Sequence, residues 1–581
     1  MPKVATPSTN SRGVWPIFCQ LQLETIAAQF RNRFLHGSME STNSESVDME
    51  PVNTSPAVSQ HKAKSPPPTD GQLERSKFMK RLQFGSEHAP DAQQDNFFER
   101  KKAPLFSLSV KEKSIVDSGS SNAQDLFPSY ALLGHIVKDS SGKIAADSNI
   151  DFVLLNTNHP WSAFLCGLQG SGKSHTVSCM LENCLHQSDE IGKLPQPCAG
   201  LVFNWDSQVG NICQAAYLCT IGVKVTVLVS PGNYITMRDK YHEVLGKRVN
   251  LNILPYFLPS AHLNKERMTR LMAFGAAVEN PPLYMQTIDK ILRTMTMETQ
   301  GSSRFNYNDR SARCFRERLR QEIKNAQQSV PLNLRLDILD SFLSGSEYED
   351  IFNMGANFVP RADPKSFLMG EPGSLIVVDL TGGGDAETAC LLFDVSLSVF
   401  LEKTTVGKVV ALDEAHNYLR GGAAAINFIQ GLEKTIREQR HKGTRVIVAT
   451  QEPTVGTEFL DLCDMTIVHR FTSPEWLKIL QNKVGGASKD AQMKRKRALA
   501  ALTNQGDNAN STQADENPSL VSLLDEIMTL KVGESLLFSS TAMLEIQGDQ
   551  ITELGSAYVK LKTRTRISKD GGQSKTAVQN T

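Results

Sequence analysis

The octapeptide Gly167-Leu-Gln-Gly-Ser-Gly-Lys-Ser174 constrains this chain more than any other feature. Residues 162–166 before it are an apolar run that reads as a buried strand, and 175–185 after it have the apolar spacing of a helix. A strand, a glycine-rich turn and a helix in that order converge successive backbone N–H groups on one point. The helix amino terminus adds the positive end of its dipole there. Such a loop implies a site for a nucleoside triphosphate, built from Gly167, Leu168, Gln169, Gly170, Ser171, Gly172, Lys173, Ser174 and His175. Lys173 would reach the β- and γ-phosphates, and the Ser174 hydroxyl would hold a magnesium ion.

A chain built around this loop needs a sheet to carry it. Further short apolar runs, at 131–137, 152–155, 199–204, 224–229, 374–379, 408–413 and 445–450, alternate with helical stretches. They lack the period-two alternation of a half-solvated sheet, so the spacing predicts an α/β fold whose mostly parallel sheet is covered on both faces. Residues 263–345 are helical in pattern and rich in charge, with an exposed helix expected at 313–324, and read as an insertion between 126–262 and 346–484. A polar loop at 485–517 precedes C-terminal strands within 518–572, and 573–581 is a tail.

Catalytic candidates follow from where strands end. Residues 409–412 run into Asp413 and Glu414, and a carboxylate at that position can face the phosphate loop and hold magnesium. Glu414 next to it can polarise the attacking water. Asp379 ends a similar strand but is followed by Leu380 and no second acid, which ranks it behind Asp413. Gln451 ends the following strand, either as a γ-phosphate sensor or as a turn cap. Of Arg437, Arg440, Arg445 and Arg470, the last is the preferred guanidinium to neutralise charge as the γ-phosphate leaves, with a surface salt bridge as the rival reading.

Composition sets the surroundings. Lys plus Arg and Asp plus Glu both total 62, so no global positive field draws nucleic acid, and such binding must come from local patches. Ten cysteines without a C-x-x-C pair suit a reduced compartment rather than a structural zinc site. No apolar run reaches the ~20 residues that span a bilayer, so the expectation is an intracellular soluble protein, nuclear or cytoplasmic. Residues 1–125 read as a mostly disordered tail. Within it, 1–38 carry four basic residues against one acid, which leaves open a mitochondrial presequence, a plain polar tail or a start at Met39. The cluster Lys494-Arg-Lys-Arg497 is open between a phosphate contact, a nuclear signal and a solvated loop.

Asp413-Glu-Ala-His-Asn-Tyr-Leu419, Ile436-Arg-Glu-Gln-Arg440, Val446-Ile-Val-Ala-Thr-Gln-Glu-Pro453 and the stretch through Arg470 to Ser473-Pro474 resemble the HerA/FtsK superfamily of P-loop ATPases. So do Leu530-Lys-Val-Gly-Glu534 and the late 562–572. The resemblance spans about residues 130 to 572, outside the helical insertion. It implies an ASCE (RecA-like) core that uses ATP and Mg2+, a homo-oligomer in the form of a hexameric ring, and helicase-like movement of DNA. It leaves a nuclease partner open. It assigns nucleotide and magnesium to Lys173 and Ser174, the metal shell to Asp413, the base to Glu414 and the sensor to Gln451. The chain departs from the family in having only a short strand region where many members carry a barrel. Two rivals fit less well: a superfamily 2 helicase places its Asp-Glu-Ala-His box nearer the loop, and an ABC ATPase needs a signature helix before the acidic strand. The remaining alternative is an ATP-dependent assembly switch or scaffold that translocates nothing.

Overall fold

The computed structural model describes residues 100–117, 126–137, 151–208, 210–273, 284–298, 307, 314–344, 346–356, 367–402, 406–485 and 518–571, the side chains of 518–522 excepted. Of the expected tail 1–125, residues 1–99 and 118–125 lie outside them, as do the cluster Lys494–Arg497 and residues 572–581; residues 100–117 are instead ordered, with Leu105–Ser107 paired as a strand to the sheet and Leu108–Asp117 a helix.

Among the described residues sixteen strands follow one another: β1 (Leu105–Ser107), β2 (Tyr130–Ile136), β3 (Phe152–Asn156), β4 (Ser162–Cys166), β5 (Gly192–Lys193), β6 (Ala199–Asn204), β7 (Lys224–Val229), β8 (Leu251–Pro255), β9 (Ser374–Asp379), β10 (Lys408–Leu412), β11 (Thr444–Thr450), β12 (Met465–Val468), β13 (Glu534–Phe538), β14 (Glu545–Gln547), β15 (Gln550–Thr552) and β16 (Tyr558–Thr563). All but the hairpin β14–β15 join a 14-stranded sheet in the order β1-β3-β2-β16-β13-β12-β4-β11-β10-β6-β9-β7-β8, with β5 on β2. From β12 to β8 every pairing is parallel. From β13 outward the pairings are antiparallel. The inner order β12-β4-β11-β10-β6 inserts β11 between the strand that feeds the phosphate loop and the strand that ends in acids. That is the strand order of the ASCE class of P-loop NTPases.

Alternate residues of each central strand enter different cores, because side chains of a strand point to opposite faces. Val410 and Leu412 of β10 pack with Phe393 and Phe428, from the helices Ala386–Glu402 and Ala423–Arg437. Val409 and Ala411 pack on the other face with Val177, Met180 and Leu181 of the helix Lys173–Leu185. Burial on both faces is why these strands read as unbroken apolar runs.

Between β8 and β9 the described residues form five helices, Lys265–Ala273, Tyr284–Glu298, Phe315–Glu322, Ala326–Asp340 and Glu347–Ala356. They are tied to the core by Arg270, whose Nη1 donates to both oxygens of the buried Asp394 at 2.6 Å. The helix expected at 313–324 is shorter than that within the described residues, and it is not simply exposed. Phe315 and Leu319, one turn apart, are both buried. No helix among the described residues is long and apolar enough to cross a membrane.

Candidate active site

The loop leaving β4 turns through three glycines with positive φ: Gly167 at 150°, Gly170 at 73° and Gly172 at 106°. At two of them a side chain is also excluded by space. A Cβ on Gly167 would stand 2.7 Å from the Cβ of His469, and one on Gly172 would stand 2.8 Å from the backbone N of Gly533. Gln169 and Gly170 are exposed at the tip, Leu168 is half-buried, and Ser171 is buried with its hydroxyl donating to Leu168 O at 2.6 Å. Lys173 opens the helix Lys173–Leu185, and its Nζ donates to Leu168 O at 3.1 Å. Ser174 and His175 follow in the first turn, both half-buried.

The acidic pair arrives from two strands away. Asp413 directly follows β10 and is 7 % exposed, and its Oδ1 accepts the Glu414 N–H at 3.1 Å. Burial, with the Glu414 charge next, pushes the Asp413 carboxyl up to about 7, and Lys173 opposes the rise. Lys173 is correspondingly pulled down by burial and back up by Glu414 and Asp413. Lys173 and Asp413 each feel the other and Glu414, so the loop and the acidic strand share one electrostatic site.

Glu414 has φ 45°, the single non-glycine residue with positive φ among the described residues. Its Oε1 accepts Nε2 of Gln451, from the end of β11, at 3.0 Å. Its Oε2 is buried, has no hydrogen-bond donor and lies 3.4 Å from His416 Nδ1. That nitrogen accepts the Gln451 N–H at 3.4 Å, so the ring proton belongs on Nε2. Burial lowers the His416 pKa, which keeps the ring neutral. The Glu414 oxygen therefore faces an acceptor and not a donor.

The arginines separate by position. Arg445 is buried at the start of β11, donating to the carbonyls of Thr157 and Asn158, and is a structural residue at the opposite edge of the sheet. Arg437 pairs with Glu433, and Arg440 is exposed near that same edge. Arg470 follows β12 at the loop's edge. Its backbone carbonyl accepts Leu168 N–H at 2.9 Å, and its side chain is exposed. Asp379 lies beyond β10 and β6 from the loop. Its buried carboxylate accepts Tyr241 OH at 2.6 Å, Asn204 Nδ2 at 3.0 Å and Thr381 N–H at 3.2 Å, so it serves the core.

Sequence reasoning missed the loop's supports. His469 is fully buried against it, with Nε2 at 3.2 Å from Thr176 Oγ1, and burial drives its pKa down to about 3. Its one signal was a histidine ending the apolar run 465–468. The C-terminal part of the chain supplies the rest. Gly533 N–H donates to Ser171 O at 3.2 Å, Thr563 Oγ1 meets Thr176 Oγ1 at 3.1 Å, and His175 Nε2 donates to Arg564 O at 2.8 Å. On the loop's helix the fully buried Glu182 accepts Arg564 Nη1 at 2.8 Å, Ser568 Oγ at 2.6 Å, Ser568 N–H at 3.0 Å and Ile567 N–H at 3.2 Å. A lone acid in the apolar stretch 176–185 was the sequence's only hint of this strap.

No family model matches this sequence, and no curated protein does either. Among solved structures, VirB4 of Thermoanaerobacter pseudethanolicus aligns over 75 % of this chain and 96 % of its own, at 13 % identity and a TM-score of 0.40. The likeness is distant, and the fold class rests on the strand order and the loop described above.

Proposed function

We propose that this chain binds ATP with Mg2+ and hydrolyses it, as a motor ATPase of the HerA/FtsK kind that assembles into a ring and moves DNA. One observation carries the reading: Lys173, Asp413, Glu414 and Gln451 meet at the carboxyl ends of β4, β10 and β11, where the charge states of Lys173 and Asp413 each respond to the other and to Glu414. A divalent cation suits this site, because a buried carboxylate raised to about 7 is short of positive charge and Ser174 lies on the neighbouring helix turn. Bound there, Mg2+ would neutralise phosphate oxygens.

The chain's own groups do the remainder. Backbone N–H groups of Gln169, Gly170 and Gly172 turn toward the phosphates while the Leu168 N–H stays on the Arg470 carbonyl, and Lys173 exchanges the Leu168 carbonyl for phosphate oxygens. Glu414 Oε2, which has no donor, orients a water and accepts its proton. Gln451 fixes the other oxygen and links that carboxylate to β11. Arg470 faces outward, as a group serving a neighbouring subunit would.

A second reading, an ATP-dependent assembly switch, is favoured by the equal totals of 62 basic and 62 acidic residues, which give no overall field to attract DNA. The two are separated by measuring ATP hydrolysis of the purified full chain with and without DNA, alongside its assembled mass. A ring whose hydrolysis rises with DNA supports the motor. A monomer that hydrolyses ATP indifferently to DNA supports the switch, and failure to bind nucleotide overturns both.

A further inference from the structure

At the far end of the phosphate loop's helix, two buried cysteines are joined through their backbones. Cys184 lies in the last turn of Lys173–Leu185 and Cys198 immediately before β6. The Cys198 N–H donates to Cys184 O at 2.8 Å, and both side chains are buried in the same core cluster. Two residues whose backbones are joined by one such hydrogen bond lie within the Cα span that a disulfide bridges. Both residues are free cysteines.

Their surroundings differ from those of the chain's other buried thiols. A Cβ on Gly407 would stand 3.2 Å from Cys198 Sγ and 3.3 Å from Arg445 Nη1, so sulfur and guanidinium flank one glycine. Hydrogen bonding from Cys184 lowers the Cys198 thiol below its usual range. Burial opposes this, and the Arg445 charge adds to it. Cys166, Cys179 and Cys390, by contrast, are pushed up to about 12 by burial. A thiolate beside a cation and a second thiol is the arrangement in which cysteine acts as a nucleophile toward oxidants. Access is short: Pro195 and Gln196, just ahead of Cys198, are exposed.

We propose that Cys184 and Cys198 form a redox-active dithiol, which a small hydroperoxide converts into a disulfide joining the end of the phosphate-loop helix to the start of β6. The Cys198 thiolate attacks the peroxide, the O–O bond breaks, hydroxide leaves, and sulfur becomes a sulfenic acid. The Cys184 sulfur then attacks Cys198, the S–S bond forms, the S–O bond breaks, and water departs with the Cys184 proton. Two thiols are oxidised and one peroxide is reduced.

The test treats the purified full chain with stoichiometric hydrogen peroxide and maps its peptides by mass without reduction. The expected product is one disulfide-linked peptide pair carrying Cys184 and Cys198, lost on adding dithiothreitol, in a chain whose melting temperature rises by a few degrees on oxidation. In Cys184→Ser the intermediate has no resolving thiol, so dimedone should label Cys198 several-fold more than Cys179 or Cys390. Thiols at 184 and 198 that survive while other cysteines oxidise would overturn the proposal, as would equal dimedone labelling in a folded Cys184→Ser chain. Both readouts are independent of ATP hydrolysis.

Discussion

Glu414 occupies a backbone region that costs a non-glycine residue roughly 1–3 kcal/mol, and it does so where Gln451 Nε2 holds one of its carboxylate oxygens in place. Strain of that kind persists when a neighbourhood over-determines one side-chain position. The expected consequence is specific. Glu414→Gln should retain nucleotide binding, measured with a fluorescent ATP analogue, while hydrolysis falls by roughly 100-fold or more, the usual yield of a positioned general base. Lys173→Ala should lose the binding itself, because its ammonium is the cation aimed at the phosphates. Hydrolysis by Glu414→Gln at the parent rate would remove the base from the mechanism. The loop and the Asp-Glu pair were legible because each is a local pattern: glycines at fixed spacing, and acids directly behind an apolar run. The partners of Glu414 were only half legible. Gln451 was found as a polar strand end, whereas His416 gained its role only when the chain brought its Nδ1 to the Gln451 N–H.

At the scale of elements, the strap from Thr563 to Ser568 shows how tertiary contact escapes sequence reading. Glu182 and Ser568 are 386 residues apart, and nothing local to either predicts the other. Four donors converge on that buried carboxylate. Burial alone would raise its pKa, but hydrogen bonds from Ser568 and the nearby Arg564 outweigh it and hold the group below 4.5. A carboxyl depressed in the folded state contributes stability that is complete above its unfolded value and is lost as pH falls through the folded one. Glu182→Gln, which also strands Arg564 Nη1 against a neutral amide, should cost about 3 kcal/mol near neutral pH. Its deficit relative to the parent should shrink below about pH 4.5. Denaturant titrations at several pH values measure this, and a deficit that does not change with pH would refute the role of the charge.

On the scale of the whole molecule, the sheet joins parts of the chain that periodicity could find but not order. The apolar runs identified the parallel strands β4, β6, β7, β9, β10 and β11, because burial on both faces erases alternation, and passed over β8 at the sheet's edge. Their order β12-β4-β11-β10-β6 is set by long-range pairing, which no local run encodes. On the antiparallel flank β2 and β3 were found as runs, whereas β1 and β5, each three residues or fewer, were not. The exposed Arg470 beside the loop carries a prediction that belongs to this scale. If it serves a neighbouring subunit, Arg470→Ala and Lys173→Ala should each be inactive alone, yet mixing them should restore part of the ATPase rate. A mixture as silent as its components would return Arg470 to its own subunit or to the surface.

The strap also has a consequence for how the protein is made. The phosphate loop emerges from the ribosome early, but Gly533, Thr563, Arg564 and Ser568, which brace it and its helix, are among the last described residues to be translated. At ~5–20 residues per second, tens of seconds separate the two events. Through that interval Glu182 has no partner and β2 lacks β16. A nascent chain stalled short of its end would carry every residue of the phosphate loop and still be unable to set it. On the proposed reading, nucleotide binding would wait for these late residues to reach the loop.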